Sequence, residues 1–149
     1  MPTFKILPDH HQFYLFDNEA CPSYPEEITE ADFQSRFKAI ANLVAVYTDN
    51  DAEIEVAIEC AASPPPIDKS AWAHIVEGPL NLPSGQIVIA SPSSYIPECP
   101  RIAVWPGCYR ARVATPIAAL AGMPRYVVSL WPSDLSLVAV IKSERQYAA

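Results

Sequence analysis

Residues 49–60, DNDAEIEVAIEC, carry two chemically opposite faces. Ile54, Val56, Ile58 and Cys60 fall on one parity. Asp49, Asp51, Glu53, Glu55 and Glu59 fall on the other, interrupted only by Ala57. Side chains of a strand alternate between its faces, so this period predicts a half-buried strand. One face belongs to a core and the other holds five carboxylates in water.

The flanking segments speak the same language. Phe4 and Ile6 predict a short first strand ended by Pro8, and residues 11–17, HQFYLFD, a second. Residues 18–27 read as a loop. Thr29 with Asp32 three positions on resembles a capping box, and Phe33, Phe37 and Ile40 supply an apolar face, which predicts one helix over about residues 30–40. Residues 43–48 then read as a strand that would form a hairpin with residues 51–61 across a short polar turn. Further strand signals lie at residues 72–77, 86–90, 101–105, 108–113, 126–131 and 135–141, and the tail from Lys142 is expected to fray.

About eight to ten short strands with turns between them, and helices that do not alternate with strands, argue against a doubly wound sheet. The prediction is a mainly β chain: an antiparallel β-sandwich with one short N-terminal helix. At 149 residues one domain spanning residues 1–149 is expected, large enough to fold without metal or disulfide. Sixteen prolines against four glycines point to rigid turns and edges.

Charge and motifs exclude several functions. A net charge of −7 disfavours nucleic-acid binding, which needs clustered Lys and Arg, and permits a basic protein partner. No signal-peptide pattern or apolar run of membrane-spanning length is present, so a soluble cytoplasmic protein is expected. Cys21, Cys60, Cys99 and Cys108 form no zinc-ligand spacing. Cys60 reads as a core residue, and Cys99 and Cys108 are placed where a hairpin could bring them together. There is no GxSxG, phosphate loop or HExxH.

Glu53 and Glu55 would stand about 7 Å apart on one strand face, a separation open to glycosidase chemistry but shared by any such acidic pair. Asp49, Asp51 and Glu53 offer oxygens to calcium without the glycine and downstream glutamate of an EF-hand. No metal, cofactor or catalytic residue is therefore assigned. His10, His11 and His74, with Arg110 and Arg112, are the candidates for an alternative reading, a small-ligand or enzymatic pocket. A third reading is an oligomerisation module with the apolar strand 86–90 at a sheet edge. Arg110 and Arg112, on the outer face of another strand, would partly neutralise the acidic stripe if the two strands were neighbours.

The order of several of these pieces resembles the competence protein J family of DNA-entry nuclease inhibitors. The resemblance lies in His11-Gln12-Phe13-Tyr14-Leu15-Phe16-Asp17, a short helix with Phe33 and Phe37, strands around Val44-Ala45-Val46-Tyr47 and Ile54-Glu55-Val56, and the Pro106-Gly107-x-Tyr109 step. It covers about residues 4–140. It implies a non-enzymatic protein that blocks a nuclease, or by extension a toxin. An acidic protein can occupy a basic groove by offering carboxylates where phosphates would sit. Asp49, Asp51, Glu53, Glu55 and Glu59 are then the partner-binding candidates, with Tyr47 and Trp72 as possible aromatic anchors.

Overall fold

The computed structural model describes residues 1–19, 27–40, 42–49, 51–117 and 122–143. Its strands are β1 (Thr3–Ile6), β2 (Gln12–Asp17), β3 (Phe37–Ile40), β4 (Leu43–Tyr47), β5 (Ile54–Cys60), β6 (His74–Leu82), β7 (Gln86–Ala90), β8 (Arg101–Ala103), β9 (Gly107–Thr115), β10 (Arg125–Pro132) and β11 (Ala139–Ser143). One α-helix, α1 (Glu30–Ser35), accompanies them among the described residues. The chain is thus mainly β, as its alternating pattern predicts. A six-stranded sheet runs β1-β5-β10-β9-β6-β11, and a five-stranded sheet runs β3-β4-β2-β7-β8.

One cluster of buried apolar side chains draws on both sheets. Val56, Ile58, Val76, Val113 and Val128 come from the first, and Phe13, Leu15, Val44, Val46 and Ile89 from the second. Phe13 and Tyr126 meet edge to face across the layers, with ring centroids 5.7 Å apart. The approach is close at Gly78 on β6, where an added Cβ would lie 2.3 Å from the Phe37 ring. The second sheet also buries its other face: Tyr14, Phe16, Leu43, Ala45 and Tyr47 form a second cluster, against which Ile96 and Cys99 pack. Burial on both faces explains why residues 13–16 run apolar without alternation.

Several expectations change. β4 does not pair with β5. Both edges of β4 are taken by β2 and β3, so the chain crosses to the other sheet before β5 begins. Pairing is antiparallel except between β5 and β10, which run parallel. The helix is shorter than expected. Its capping box forms in full, with Asp32 N–H donating to Thr29 Oγ1 (3.1 Å) and Thr29 N–H to Asp32 Oδ2 (3.0 Å). It ends at Arg36, in the left-handed region at φ 60°, after which Phe37 turns into β3 and Phe33 is left exposed.

The apolar strand β7 lies between β2 and β8 rather than at an edge, which removes the expected oligomerisation edge. Lys142 does not belong to a frayed tail: its ammonium donates to the carbonyls of Lys69 (2.8 Å) and Trp72 (2.7 Å). The remaining tail, residues 144–149, and most of the loop expected at residues 18–27 lie outside the described residues.

Candidate protein interface

The alternation holds within β5 itself. Ile54, Val56 and Ile58 point into the shared core, and Glu55 and Glu59 point out. Asp49, Asp51 and Glu53 precede the strand and occupy the exposed crossover from β4, so their parity does not place them on its face. The five carboxylates therefore divide. Glu59 accepts from Ser129 Oγ at 2.9 Å, and Glu55 lies 3.8 Å from Arg125 Nε, both partners being on β10. Asp49 pairs with Arg36 Nη2 at 2.9 Å. Asp51 accepts from the backbone N–H of His11 at 2.7 Å. Glu53 is exposed and meets no hydrogen-bond or ionic partner among the described residues.

Arg110 and Arg112 do not approach this stripe, because β10 lies between β5 and β9. Instead both nearly buried guanidiniums share Glu77 of β6, Arg110 at 3.2 Å and Arg112 at 3.0 Å. Arg112 also stacks over Trp131, 4.9 Å from its ring centre, and donates to the carbonyl of Pro65 at 2.7 Å. Among the described residues the five carboxylates therefore form no ion pair with Arg110 or Arg112.

The end of the molecule bearing Asp49, Asp51 and Glu53 has unusual backbone. His10 and His11 form the tip of a two-residue turn closed by mutual Asp9–Gln12 backbone hydrogen bonds (3.2 and 3.0 Å). The strand expected from residue 11 begins only at Gln12. Both histidines have positive φ, 52° and 58°, as in the turns that favour Asn-Gly. Each such residue costs about 1–2 kcal/mol. The Asp51 carboxylate on the His11 N–H and the Thr48 N–H on the His11 carbonyl (2.8 Å) hold the turn. Arg36, the remaining non-glycine residue of positive φ among those described, is tied to Asp49. Its Nε and Nη1 are buried without a hydrogen-bond partner. Below, burial pushes the Tyr126 hydroxyl up to about 12, with the Asp49 carboxylate adding to the rise and Arg36 opposing it.

The other end of β5 is apolar. Cys60 is exposed there, because β5 terminates at it and leaves the core it was expected to join. With Ala61, Ala62, Trp105, Tyr109 and Pro132, it borders a cleft of 680 Å³. Burial, and then Glu59, push the Cys60 thiol up, the opposite of nucleophile activation. Cys99 and Cys108 are free.

The histidines build no common site. His74 is buried, and its Nε2 lies 2.7 Å from the Ser35 carbonyl, joining β6 to the end of α1. His10 and His11 are exposed at the turn, and none of the three lines this cleft or the one between α1 and β11. Among the described residues no group of His, Cys, Asp and Glu could hold a metal ion. Among them, too, no helix is long and apolar enough to cross a membrane. Of the two suggested anchors, Tyr47 is buried and Trp72 half-buried.

Two solved structures share this arrangement. One is ComJ, an inhibitor of the DNA degrading activity of NucA, from Bacillus subtilis. It superposes with a TM-score of 0.75 over 89% of this chain and 96% of that one, at 14% identity. The chain has a ComJ-like fold. The other structure, named crocagin biosynthetic gene J, gives a TM-score of 0.64 over 89% of this chain and 99% of that one, at 20% identity. No family model and no curated protein sequence matches the chain. The strained turn, Arg36 and the apolar cleft carry no signal in the sequence pattern. The ComJ-like order of strands does.

Proposed function

We propose that the protein is a non-enzymatic acidic binding protein, a single-domain cytoplasmic β-sandwich over residues 1–149, that blocks a basic nuclease or toxin. The observation that carries this reading is the exposed acidic crossover, with Glu53 free of hydrogen-bond and ionic partners among the described residues, on a ComJ-like fold. Asp49, Asp51, Glu53, Glu55 and Glu59 form the partner surface. Glu53 and Asp51 lead, because Asp49 and Glu55 already face arginines. Asp49 and Asp51, held by Arg36 and by the His11 N–H, meet lysines and arginines with little reorganisation, which favours fast, steered association. The net charge of −7 adds long-range attraction to a cationic target.

The test is to titrate cationic nucleases with the protein and follow DNA degradation and binding at rising salt. Glu53→Lys, chosen because Glu53 makes no hydrogen bond or ion pair among the described residues, is expected to weaken binding about tenfold or more without changing stability. Binding that ignores both salt and Glu53→Lys sinks the reading.

A further inference from the structure

The end of the molecule that holds the His10-His11 turn carries four carboxylates, on Asp9, Asp49, Asp51 and Glu53, and their neighbours differ in kind. Asp49 pairs with Arg36 Nη2 at 2.9 Å, and a guanidinium does not give up its charge. Glu53 has no hydrogen-bond or ionic partner among the described residues. Asp9 and Asp51 face imidazoles. Asp9 Oδ1 lies 3.3 Å from His10 Nδ1, and Asp51 Oδ1 lies 4.0 Å from His11 Nε2. Histidine is the side chain that changes charge between about pH 5 and 8. These two carboxylates therefore stand opposite neutral rings on the alkaline side of that range and opposite cations on the acid side.

The turn keeps both rings among the carboxylates. The Asp9–Gln12 backbone bonds close it, and Asp51 and Thr48 hold the His11 N–H and carbonyl. Asp51 Oδ1 serves twice, accepting from the His11 N–H and facing the His11 ring. The two imidazoles are 76% and 60% exposed, so protons reach them from water. Among the described residues no Lys or Arg lies within ion-pair reach of Asp9 or Asp51, so the histidines are their one source of counter-charge. The third histidine, His74, is buried against the Ser35 carbonyl and brings no charge to this end. With neutral rings, Asp9, Asp51 and Glu53 are three carboxylates without a cation. Two protons, one on each ring, leave Glu53 alone.

We infer that the His10-His11 turn gates the acidic end by pH: that end takes a cationic partner while both rings are neutral, and protonation of the rings turns the partner away. This rests on the partner surface proposed above and adds its regulation. On the acid side His10 and His11 claim Asp9 and Asp51, and an approaching lysine or arginine meets two like charges. Like charges facing each other across a contact suppress association. Exposed ion pairs contribute little to stability, so the gate alters binding and leaves the fold in place.

Oligolysine of about ten residues is the probe, because lysine keeps its charge across this range and adds no titration of its own. Calorimetry at low salt is expected to show binding about tenfold weaker at about pH 5.5 than at about pH 8. The double variant His10→Gln/His11→Gln keeps uncharged polar side chains on the turn, and circular dichroism at both pH values checks that it stays folded. It is expected to bind at the higher pH as the parent does and to lose most of the fall, and each single variant to lose part of it. Equal binding by the parent at both pH values overturns the inference, as does a fall that the double variant retains in full. A cationic nuclease is expected to follow oligolysine. Gated oligolysine binding with no nuclease bound at either pH supports the gate and overturns the function reading, so the two failures are told apart. Oligolysine bound at neither pH overturns both.

Discussion

β5 joins two ends of opposite character, roughly 20 Å apart at about 3.3 Å per residue. Both ends demand backbone in the left-handed region, and they meet the demand differently. At the apolar end, Gly85 (φ 75°) and Gly107 (φ 154°) occupy such positions. At the acidic end, His10, His11 and Arg36 do. Glycine carries no strain there, whereas histidine and arginine do. Strain of this kind persists where the surroundings over-determine it, and it gathers at working surfaces. The acidic end keeps side chains where glycine would be more stable, and Asp49 and Asp51 hold two of them in place. The apolar end places its aromatic group on an unstrained turn.

The largest effect expected lies between the two ends, at Glu77. Among the described residues its carboxylate is the one anion within ion-pair reach of Arg110 and Arg112, whose side chains are 6% and 8% exposed. Glu77→Ala leaves two guanidiniums nearly buried without a counter-charge. A loss of about 3–5 kcal/mol is expected in urea unfolding. Because Arg112 also holds Pro65, amide exchange should rise first at Ser63 and Ile67, which flank the three prolines, with the His10-His11 turn following only on global unfolding. Equal loosening at both ends would show that they are not independent.

A second change acts in the opposite direction. Replacing His10-His11 by Asn-Gly supplies residues suited to positive φ at both positions. Thermal or urea unfolding is expected to show a gain of about 1–2 kcal/mol. If the turn belongs to the partner surface, binding to a cationic nuclease weakens while stability rises. Unchanged stability would mean that the turn stores no strain, and the contrast between the ends would fail.

Much of the fold was legible in the sequence because it rests on local rules. Alternation located the buried face of β5, and Thr29 with Asp32 marked the helix start. Where strand order intervenes, local rules stop. The parity of Arg110 and Arg112 placed them correctly on the face opposite Tyr109, Ala111 and Val113. Their partner, however, is set by β6 lying beside β9 and β10 standing between β9 and β5. Asp49 and Asp51 were assigned to the strand by extending its parity past Ile54, although the chain there is crossing between sheets. The His-His turn was hidden because its conformation comes from distant clamps, Asp51 and Thr48, rather than from turn-forming residues. Trp105 could not be seen as exposed, since an aromatic residue in a β-rich sequence reads as core until its turn is placed.

The smallest effect expected concerns acid. Burial works to raise the Asp32 carboxyl, but hydrogen bonds from Lys38 and Thr29 outweigh it and hold the group below its usual value. A carboxyl lowered by folding stabilises the native state above its unfolded value and loses that contribution as pH falls through the folded one. Stability is therefore expected to decline below about pH 4, near the ordinary aspartate value. Asp32→Asn should flatten that part of the profile. The helix it caps ends at Arg36, which holds Asp49, so acidification is expected to loosen the acidic end before the apolar one. Backbone amides around Arg36 should then lose protection at acid pH while those around Tyr109 keep theirs. Loss at both ends together would mean that Asp32 acts on the fold as a whole rather than through α1.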